Sequence, residues 1–410
     1  MDDLTTVPSL LDPVVLLPDP PESRNGSIAH ILQSLGDKQD PLATAIPMSL
    51  VYSVLLVSGI IGNVCTCIVI ARNRYMHTAT NYYLFSLAVS DLLLLVLGLP
   101  QELYQIWERY PYVFGEAFCI LRGFSSETST NASILTITAF TIERYVAICH
   151  PLRAHTMSKL SRAVKFVVAI WLLSAACAVP VAVQFGVVYL QFRGVVLLES
   201  AECRVKEPLK HAFELSTFLF FLLPMGVILV LYVCIALQLK RSNALSKRAM
   251  EHKCPVVVNG KCPETQKVNS EGLLQAPSKF HRGCQLRKST KGGSPSASRK
   301  AVINMLIAVV VAFFLCWAPF HAQRLMAVYV TSTTPALETA FHALTHISGV
   351  TYYVSATINP ILYSIMSLKF RQAFRDTLMR CCGRRVPRHE WTSADGYVSN
   401  HHPHTTPSSV

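Results

Sequence analysis

Charge is what this chain has least of. Asp, Glu, Lys and Arg make up 15% of its 410 residues, against about 25% in soluble chains, which counts against a domain surrounded by water. The start, MDDLTTVPSLLDPVV, lacks the basic opening of a cleaved secretory signal. The first spanning helix is therefore expected to act as the insertion signal. Metal-ligand spacings, a nucleophile elbow and a phosphate-cradling loop are missing, and with them the enzyme reading. No internal repeat of the kind that builds transporters is visible. His401, His402 and His404 read as a solvated tail rather than a metal site.

Apolar sequence is what the chain has in excess. It is 51% hydrophobic with mean hydropathy +0.37, and several apolar runs approach or exceed ~20 residues, the length that crosses a bilayer. Formal net charge is +13. The basic residues fall between the apolar runs, where membrane orientation explains them better than a nucleic-acid partner does. Seven spans are expected, at 46–71, 80–106, 115–149, 163–186, 209–240, 299–330 and 338–365. The fold class is thus an all-α membrane protein, a seven-transmembrane helix bundle. Residues 45–366 form the bundle and 1–44 an aperiodic, Pro- and Asp-rich tail. Residues 241–298, rich in Lys, Arg, Ser and Gly, are expected to be a disordered loop, because such a stretch cannot bury enough apolar area to fold alone. Residues 367–380 repeat basic and apolar residues at helical spacing, which predicts a short amphipathic eighth helix on the membrane surface. Residues 381–410 form the tail.

Lys and Arg crowd the loops after helices one, three and five and the C-terminal tail, whereas the N-terminal tail is mostly acidic. The positive-inside rule puts the N-terminus outside and the C-terminus in the cytoplasm, in a multi-pass protein of the plasma membrane. Asn25-Gly26-Ser27 then offers an extracellular glycosylation acceptor. Cys381 and Cys382 form a palmitoylation pair, with two free thiols as the alternative. The last residues, Ser408-Ser409-Val410, fit a motif read by PDZ proteins, one that also arises by chance. Of thirteen cysteines, only Cys119 and Cys203 fall near predicted outer helix ends. They are paired here, against the alternative of two unlinked thiols.

The stretch from Cys119 to Pro151 organises the rest. Arg144 follows Cys119 by 25 positions, which span ~38 Å as helix, yet Glu127 and Asn131 lie between them. Polar groups at that depth face a bundle interior or a wet cavity, so this is the central helix. Asp91, mid-membrane in helix two, is read either as a sodium-type cation site shared with Asn63, Ser133, Ser355 and Asn359, or as one member of an obligatory polar network. Glu102 follows Asp91 by 11 residues, about three turns, on the same side. Glu102 and Glu127 thus form an outer-half trap for a cation, suited to a guanidinium. The alternatives are a solvated helix end for Glu102 and an internal pair with Arg122 or Arg324 for Glu127. Trp317, Phe320, His321 and Arg324 share one face of helix six, kinked by Pro319, and describe a ligand pocket with an aromatic floor. Core packing is the plainer account of Trp317 and Phe320. Arg144, beside Glu143 and Tyr145, is a charge that a neighbouring carboxylate can hold in one state and release in another.

Together these positions resemble the rhodopsin-like G-protein-coupled receptors over residues 45–382. The resemblance rests on Asn63, Asp91, Cys119, Glu143-Arg144-Tyr145, Trp171, Pro224, Cys316-Trp317-Ala318-Pro319 and Asn359-Pro360-Ile361-Leu362-Tyr363. It implies that Arg144, Tyr232 and Tyr363 rearrange on activation, with Pro224, Ile134 and Phe313 connecting pocket to cytoplasmic face. Ser126 stands where amine receptors place an aspartate, and helix seven lacks the opsin lysine. HTATNYYLFSLAVSDLLLL, PQELYQIW, HTMSKLSRA and FLCWAPFHAQRLMAVY resemble the neuromedin U receptor group and its arthropod CAPA and pyrokinin members. That group recognises peptides ending in Pro-Arg-Leu-amide or Pro-Arg-Val-amide, and its two acidic contacts for the peptide arginine map onto Glu102 and Glu127. The resemblance implies coupling to a heterotrimeric G protein, expected to be Gq, with calcium release and arrestin binding. HTMSKLSRA and AVPVAVQFGVVY lean toward the CAPA type, so a Pro-Arg-Val-amide neuropeptide is the expected ligand and a pyrokinin-type Pro-Arg-Leu-amide peptide the alternative.

Overall fold

The structure, a computed structural model, describes residues 14–16, 38–151, 160–192, 195–206, 209, 211–251, 295–330, 334–366 and 368–381. Asn25, Cys382 and Val410 lie outside them, and Cys381 is described only as the last backbone position of a helix.

Seven long helices carry the chain: α1 (Leu42–Arg72), α2 (Ala79–Trp107), α3 (Glu116–Cys149), α4 (Leu160–Ala182), α5, α6 (Pro295–Tyr329) and α7 (Pro335–Met366). α5 runs as three consecutive pieces, Ala212–Thr217, a π-helical turn Phe218–Leu222, and Leu223–Glu251. The shorter α8 (Leu368–Cys381) follows. Among the described residues, six helices are long and apolar enough to cross a membrane. α7 is long enough at 32 residues but dilutes its hydropathy with Ser348, Ser355, Thr357 and Asn359, all buried.

The distribution of polarity is inverted relative to a water-soluble bundle. Leu50, Leu172, Leu229 and Leu315 are each more than 60% exposed, whereas Asn63, Asp91, Glu127 and Asn131 are buried. Lipid as the surrounding solvent explains both halves of that pattern, since apolar side chains face acyl chains and polar ones find partners inside. The core runs through Leu87, Leu95, Leu99, Ile134, Trp317 and Tyr363. α1 approaches its neighbours closely at Gly59, where an added Cβ would lie 2.6 Å from Leu95 Cδ1 and 2.9 Å from Thr357 Oγ1. Gly59→Val is therefore expected to destabilise the bundle by about 1–3 kcal/mol through overpacking. Thermal unfolding in detergent reads this out, and an unchanged midpoint would show that the helices simply shift apart.

Sheet structure adds to the helical expectation. Strands β1 (Val14–Leu16), β2 (Phe185–Phe192) and β3 (Val195–Val205) form one sheet in that order, β1 parallel to β2 and β2 antiparallel to β3. The fourth span was expected to continue to 186. α4 instead ends at Ala182, and the β-branched and aromatic run FGVVYLQF, which suits a pleated strand, pairs with β3 from Phe185 onward. The loop expected over 241–298 is narrower at both ends, because α5 continues to Glu251 and α6 begins at Pro295. Leu, Ala, Lys and Arg in LKRSNALSKRAM are good helix formers, and a nucleated helix propagates through them. α8 is tied to the turn after α1: Asn73 donates to Thr377 (2.9 Å) and Tyr75 to Asp376 (3.2 Å).

Candidate functional site

α3 carries an almost unbroken polar run, Ser125 to Ser133, through the middle of the bundle. Ser125, Glu127, Thr128, Ser129, Thr130, Asn131 and Ser133 are all buried. A helix this polar is stable in a membrane only where other helices surround it, which fixes α3 at the centre. Its half nearer Cys119 meets α2, α6 and α7.

Neither of the two acids expected to form a cation trap is free. Glu102 on α2 pairs with Arg122 on α3, Nη1 to Oε1 at 2.9 Å. Glu127 pairs with Arg324 on α6, Nη1 to Oε1 at 2.6 Å. Two carboxylates therefore meet two guanidiniums. The pairs differ in exposure, with side chains 22% and 33% exposed for Arg122 and Glu102, but only 10% and 9% for Arg324 and Glu127. The deep pair is held further by aromatic faces, since the Arg324 guanidinium lies 4.1 Å over Phe213 and 5.6 Å from Phe320. Tyr352 lies within electrostatic reach of both Glu127 and Arg122 and shares a short hydrogen bond (2.5 Å) with Ser126.

Beneath the pairs is an aromatic floor. Phe320 stacks on Tyr352 at 4.9 Å, and Trp317 meets both edge-on, at 5.7 Å and 4.9 Å. His321 diverges from this group. Its Nδ1 lies 3.0 Å from Thr217 Oγ1 on α5, and its ring stacks on Phe221 at 4.5 Å. The four-residue stripe predicted on α6 thus divides, with Trp317, Phe320 and Arg324 on the pocket and His321 in the α5–α6 seam. The stripe spans about 100° of helix surface, with Phe320 and His321 at its two edges, wide enough to face two neighbours.

A small cavity lies below the floor. Asp91, Ser133, Ser355 and Asn359 line it with Ser90, Ser129, Phe313 and Trp317. Asn359 donates to Asp91 Oδ2 (3.0 Å), Ser90 and Ser133 hydroxyls meet at 2.8 Å, and the buried Ser129 hydroxyl has no partner among the described residues. Asn63, expected to share this site, lies apart from the lining. Its amide donates to the backbone carbonyls of Gly59 (3.0 Å) and Ala356 (2.8 Å), bracing α1 against α7.

At the opposite end, Arg144 Nη2 donates to Glu143 Oε1 (2.9 Å) and Thr80 Oγ1 (2.8 Å), with Phe140 5.4 Å from the guanidinium. Tyr145 packs edge-on against His150. The buried hydroxyls of Tyr232 and Tyr363 form no well-made hydrogen bond. Ile134 and Phe313 belong to the main core, with Pro224 buried two residues past the π-helical segment of α5. Pro360 lies inside α7 beside Asn359.

The β2–β3 hairpin joins the N-terminal end of α3. Cys119 is disulfide-bonded to Cys203 on β3, and Cys203 pairs in register with Val187 on β2. Beside it Tyr112 donates to the buried Gln101 (3.0 Å) and packs with Cys119.

Seven helices, the disulfide, the buried carboxylate–amide pair and the caged arginine coincide with a sequence match. Residues 62–363 match the family described as 7 transmembrane receptor (rhodopsin family). The chain belongs to that family. As a rhodopsin-family receptor it is a multi-pass membrane protein and not an enzyme. It is 46% identical to the pyrokinin-1 receptor of Drosophila melanogaster over 390 residues, covering 91% of this chain and 88% of the relative. It is 37% identical to neuromedin-U receptor 2 of Mus musculus over 369 residues, 89% of this chain and 83% of the relative. Neuromedin-U receptor 1 of Homo sapiens is also 37% identical, over 378 residues, 90% and 82% respectively. Within this receptor, sequence reasoning passed over Tyr352 and Phe213 as site residues. Each reads alone as an ordinary apolar or small helix residue, and only helix rotation brings it to the pocket wall.

Proposed function

We propose that this receptor responds to a C-terminally amidated neuropeptide carrying arginine before its last residue. The observation that carries this reading is the pair of inward acids, Glu102 and Glu127, in the outer half of the bundle above an aromatic floor. Carboxylates at that depth require cationic partners, and the guanidinium is the cation whose fork fits them. The peptide enters C-terminus first from outside the cell, with the N-terminal tail extracellular and the C-terminus in the cytoplasm of a plasma-membrane receptor. Its arginine meets the acids, and its amide and terminal aliphatic side chain settle near Phe320, Arg324 and the His321 seam.

Movement of α6 then frees Arg144 from Glu143 and Thr80 and offers partners to the Tyr232 and Tyr363 hydroxyls. A G protein, in this reading Gq acting through phospholipase C and calcium, docks on the opened face. Arrestin and a PDZ protein at Val410 belong to the same reading, as do glycosylation at Asn25 and palmitoylation at Cys381 and Cys382. The carboxylate and hydroxyl oxygens on the polar side of the Asp91 cavity, with the Ser129 hydroxyl unpartnered among the described residues, suit a hard ion such as sodium held by Asp91, Ser133, Ser355 and Asn359. Such an ion would stabilise the inactive arrangement of α3 and α7.

The terminal residue of the peptide divides two versions. The 46% identity to a pyrokinin-1 receptor, spread over most of both chains, supports Pro-Arg-Leu-amide. The shorter stretches HTMSKLSRA and AVPVAVQFGVVY support the CAPA-type Pro-Arg-Val-amide. A calcium assay in transfected cells with synthetic peptides ending in each, and in Pro-Arg-X-amide with other final residues, ranks them. The leucine amide is expected to be most potent, and a valine amide that outranks it would restore the CAPA assignment. Silence toward every arginine-bearing amide would remove the ligand class.

A further inference from the structure

The two acid–arginine pairs are not equivalent, and the difference assigns Arg122 a role. We infer that Arg122 is a displaceable surrogate for the ligand: its guanidinium occupies the seat on Glu102 that the peptide arginine takes, and it moves out to water when the peptide arrives. The inference rests on the arginine-peptide reading above. Arg324, by contrast, stays on Glu127 and forms part of the fixed wall.

Three observations separate the pairs. Glu102 and Arg122 lie 2.9 Å apart with a third and a fifth of their side-chain surfaces open, so either partner reaches solvent by a rotamer change. Glu127 and Arg324 lie 2.6 Å apart with about a tenth open, so releasing either strands a charge in a low-dielectric interior. Arg324 is also fixed over Phe213 and close to Phe320, contacts that a departing guanidinium would forfeit.

Charge arithmetic leads to the same assignment. Among the described residues, these two carboxylates and two guanidiniums cancel in charge. Charges that cancel give an incoming cation no net attraction, and an amidated C-terminus brings no anion to pair with a displaced arginine. Binding therefore exchanges one guanidinium for another, and the exchange costs least where the outgoing one can hydrate. Arg122 lies three residues past Cys119, the residue that tethers the outer hairpin, so it sits within about one turn of the disulfide on α3. Its path to water is short.

The role is selective. A ligand without a positive charge at the arginine position has no means of lifting Arg122 off Glu102. Arg122 thus sets a threshold that only a guanidinium or similar cation passes.

The test is competition binding on membranes from cells expressing the full-length receptor, with surface amount measured in parallel. The probes are a synthetic peptide ending Pro-Arg-Leu-amide and its counterpart with neutral citrulline in place of arginine. In Arg122→Gln, affinity for the arginine peptide is expected to rise three- to tenfold while the weak citrulline affinity stays unchanged. Arg122→Lys, which keeps the charge but loses the fork, is expected to fall between and serves if the glutamine variant is not expressed. Adding Glu102→Gln to Arg122→Gln is expected to abolish the gain. Weaker binding of the arginine peptide to Arg122→Gln and Arg122→Lys at normal surface amount would overturn the proposal, as would an equal gain for both peptides. In either case a wild-type receptor that binds the arginine peptide and not the citrulline one keeps the ligand assignment. Equal wild-type binding of the two peptides removes that assignment and the proposal with it.

Discussion

Glu127→Gln is expected to remove the peptide response and to take most of the receptor from the cell surface. The substitution leaves Arg324, only 10% exposed, without its carboxylate. Breaking a buried ion pair from one side costs about 3–5 kcal/mol, a large part of the ~5–15 kcal/mol that holds a typical protein folded. The loss of response therefore has two sources, a missing ligand contact and a missing structural bond. The double variant Glu127→Gln with Arg324→Gln separates them. It removes both charges, so surface amount is expected to recover while the calcium response stays absent. Surface labelling beside a calcium assay reads both quantities. Normal surface amount and normal potency in the single variant would show that this pair neither supports the bundle nor meets the ligand.

Glu102→Lys is expected to reduce peptide potency more than a hundredfold and leave surface amount near normal. The new ammonium faces Arg122, and like charges in the mouth of a cavity repel an incoming guanidinium as well as each other. Because both side chains reach water, they separate with little cost to the fold, and exposed pairs contribute only ~0–1 kcal/mol in any case. The contrast with Glu127 is the point of the comparison: two acids of one pocket, equally acidic in sequence, with opposite consequences for folding. A Glu102→Lys receptor with wild-type potency would place the ligand cation elsewhere. One that fails to reach the surface would mean that the Glu102–Arg122 bond is structural.

Much of this was legible in the linear chain. Spans, their number and the amphipathic character of α8 follow from hydropathy and helical spacing, because lipid acts on each segment separately. Asp91, Glu127 and Asn359 stood out because a polar side chain in an apolar run signals an interior surface. The β2–β3 hairpin was less legible: FGVVYLQF follows an apolar helix without a break in hydropathy, and the signal for a strand lay only in its β-branched and aromatic content. The far end of α5 was also set short of Glu251, because charge was read as the end of helix when Lys and Arg continue it well, and α6 begins at Pro295 rather than 299, in a Pro-Ser-Ala-Ser stretch without apolar periodicity.

The sequence by itself determined that this is a seven-span, rhodopsin-family receptor with a polar central helix and an arginine beside a carboxylate at the end of that helix far from Cys119. Burial, length and residue chemistry are local properties, and they are written in order. Only the tertiary structure decided which arginine each acid holds, that His321 turns to α5 while Arg324 turns to the pocket, and that Tyr352 joins Phe320 and Trp317 in the aromatic floor. Those outcomes depend on the rotation of each helix about its axis and on distances between segments far apart in the chain. Hydropathy constrains such rotations only to within a face. Ångström-scale packing of neighbouring helices selects the partner.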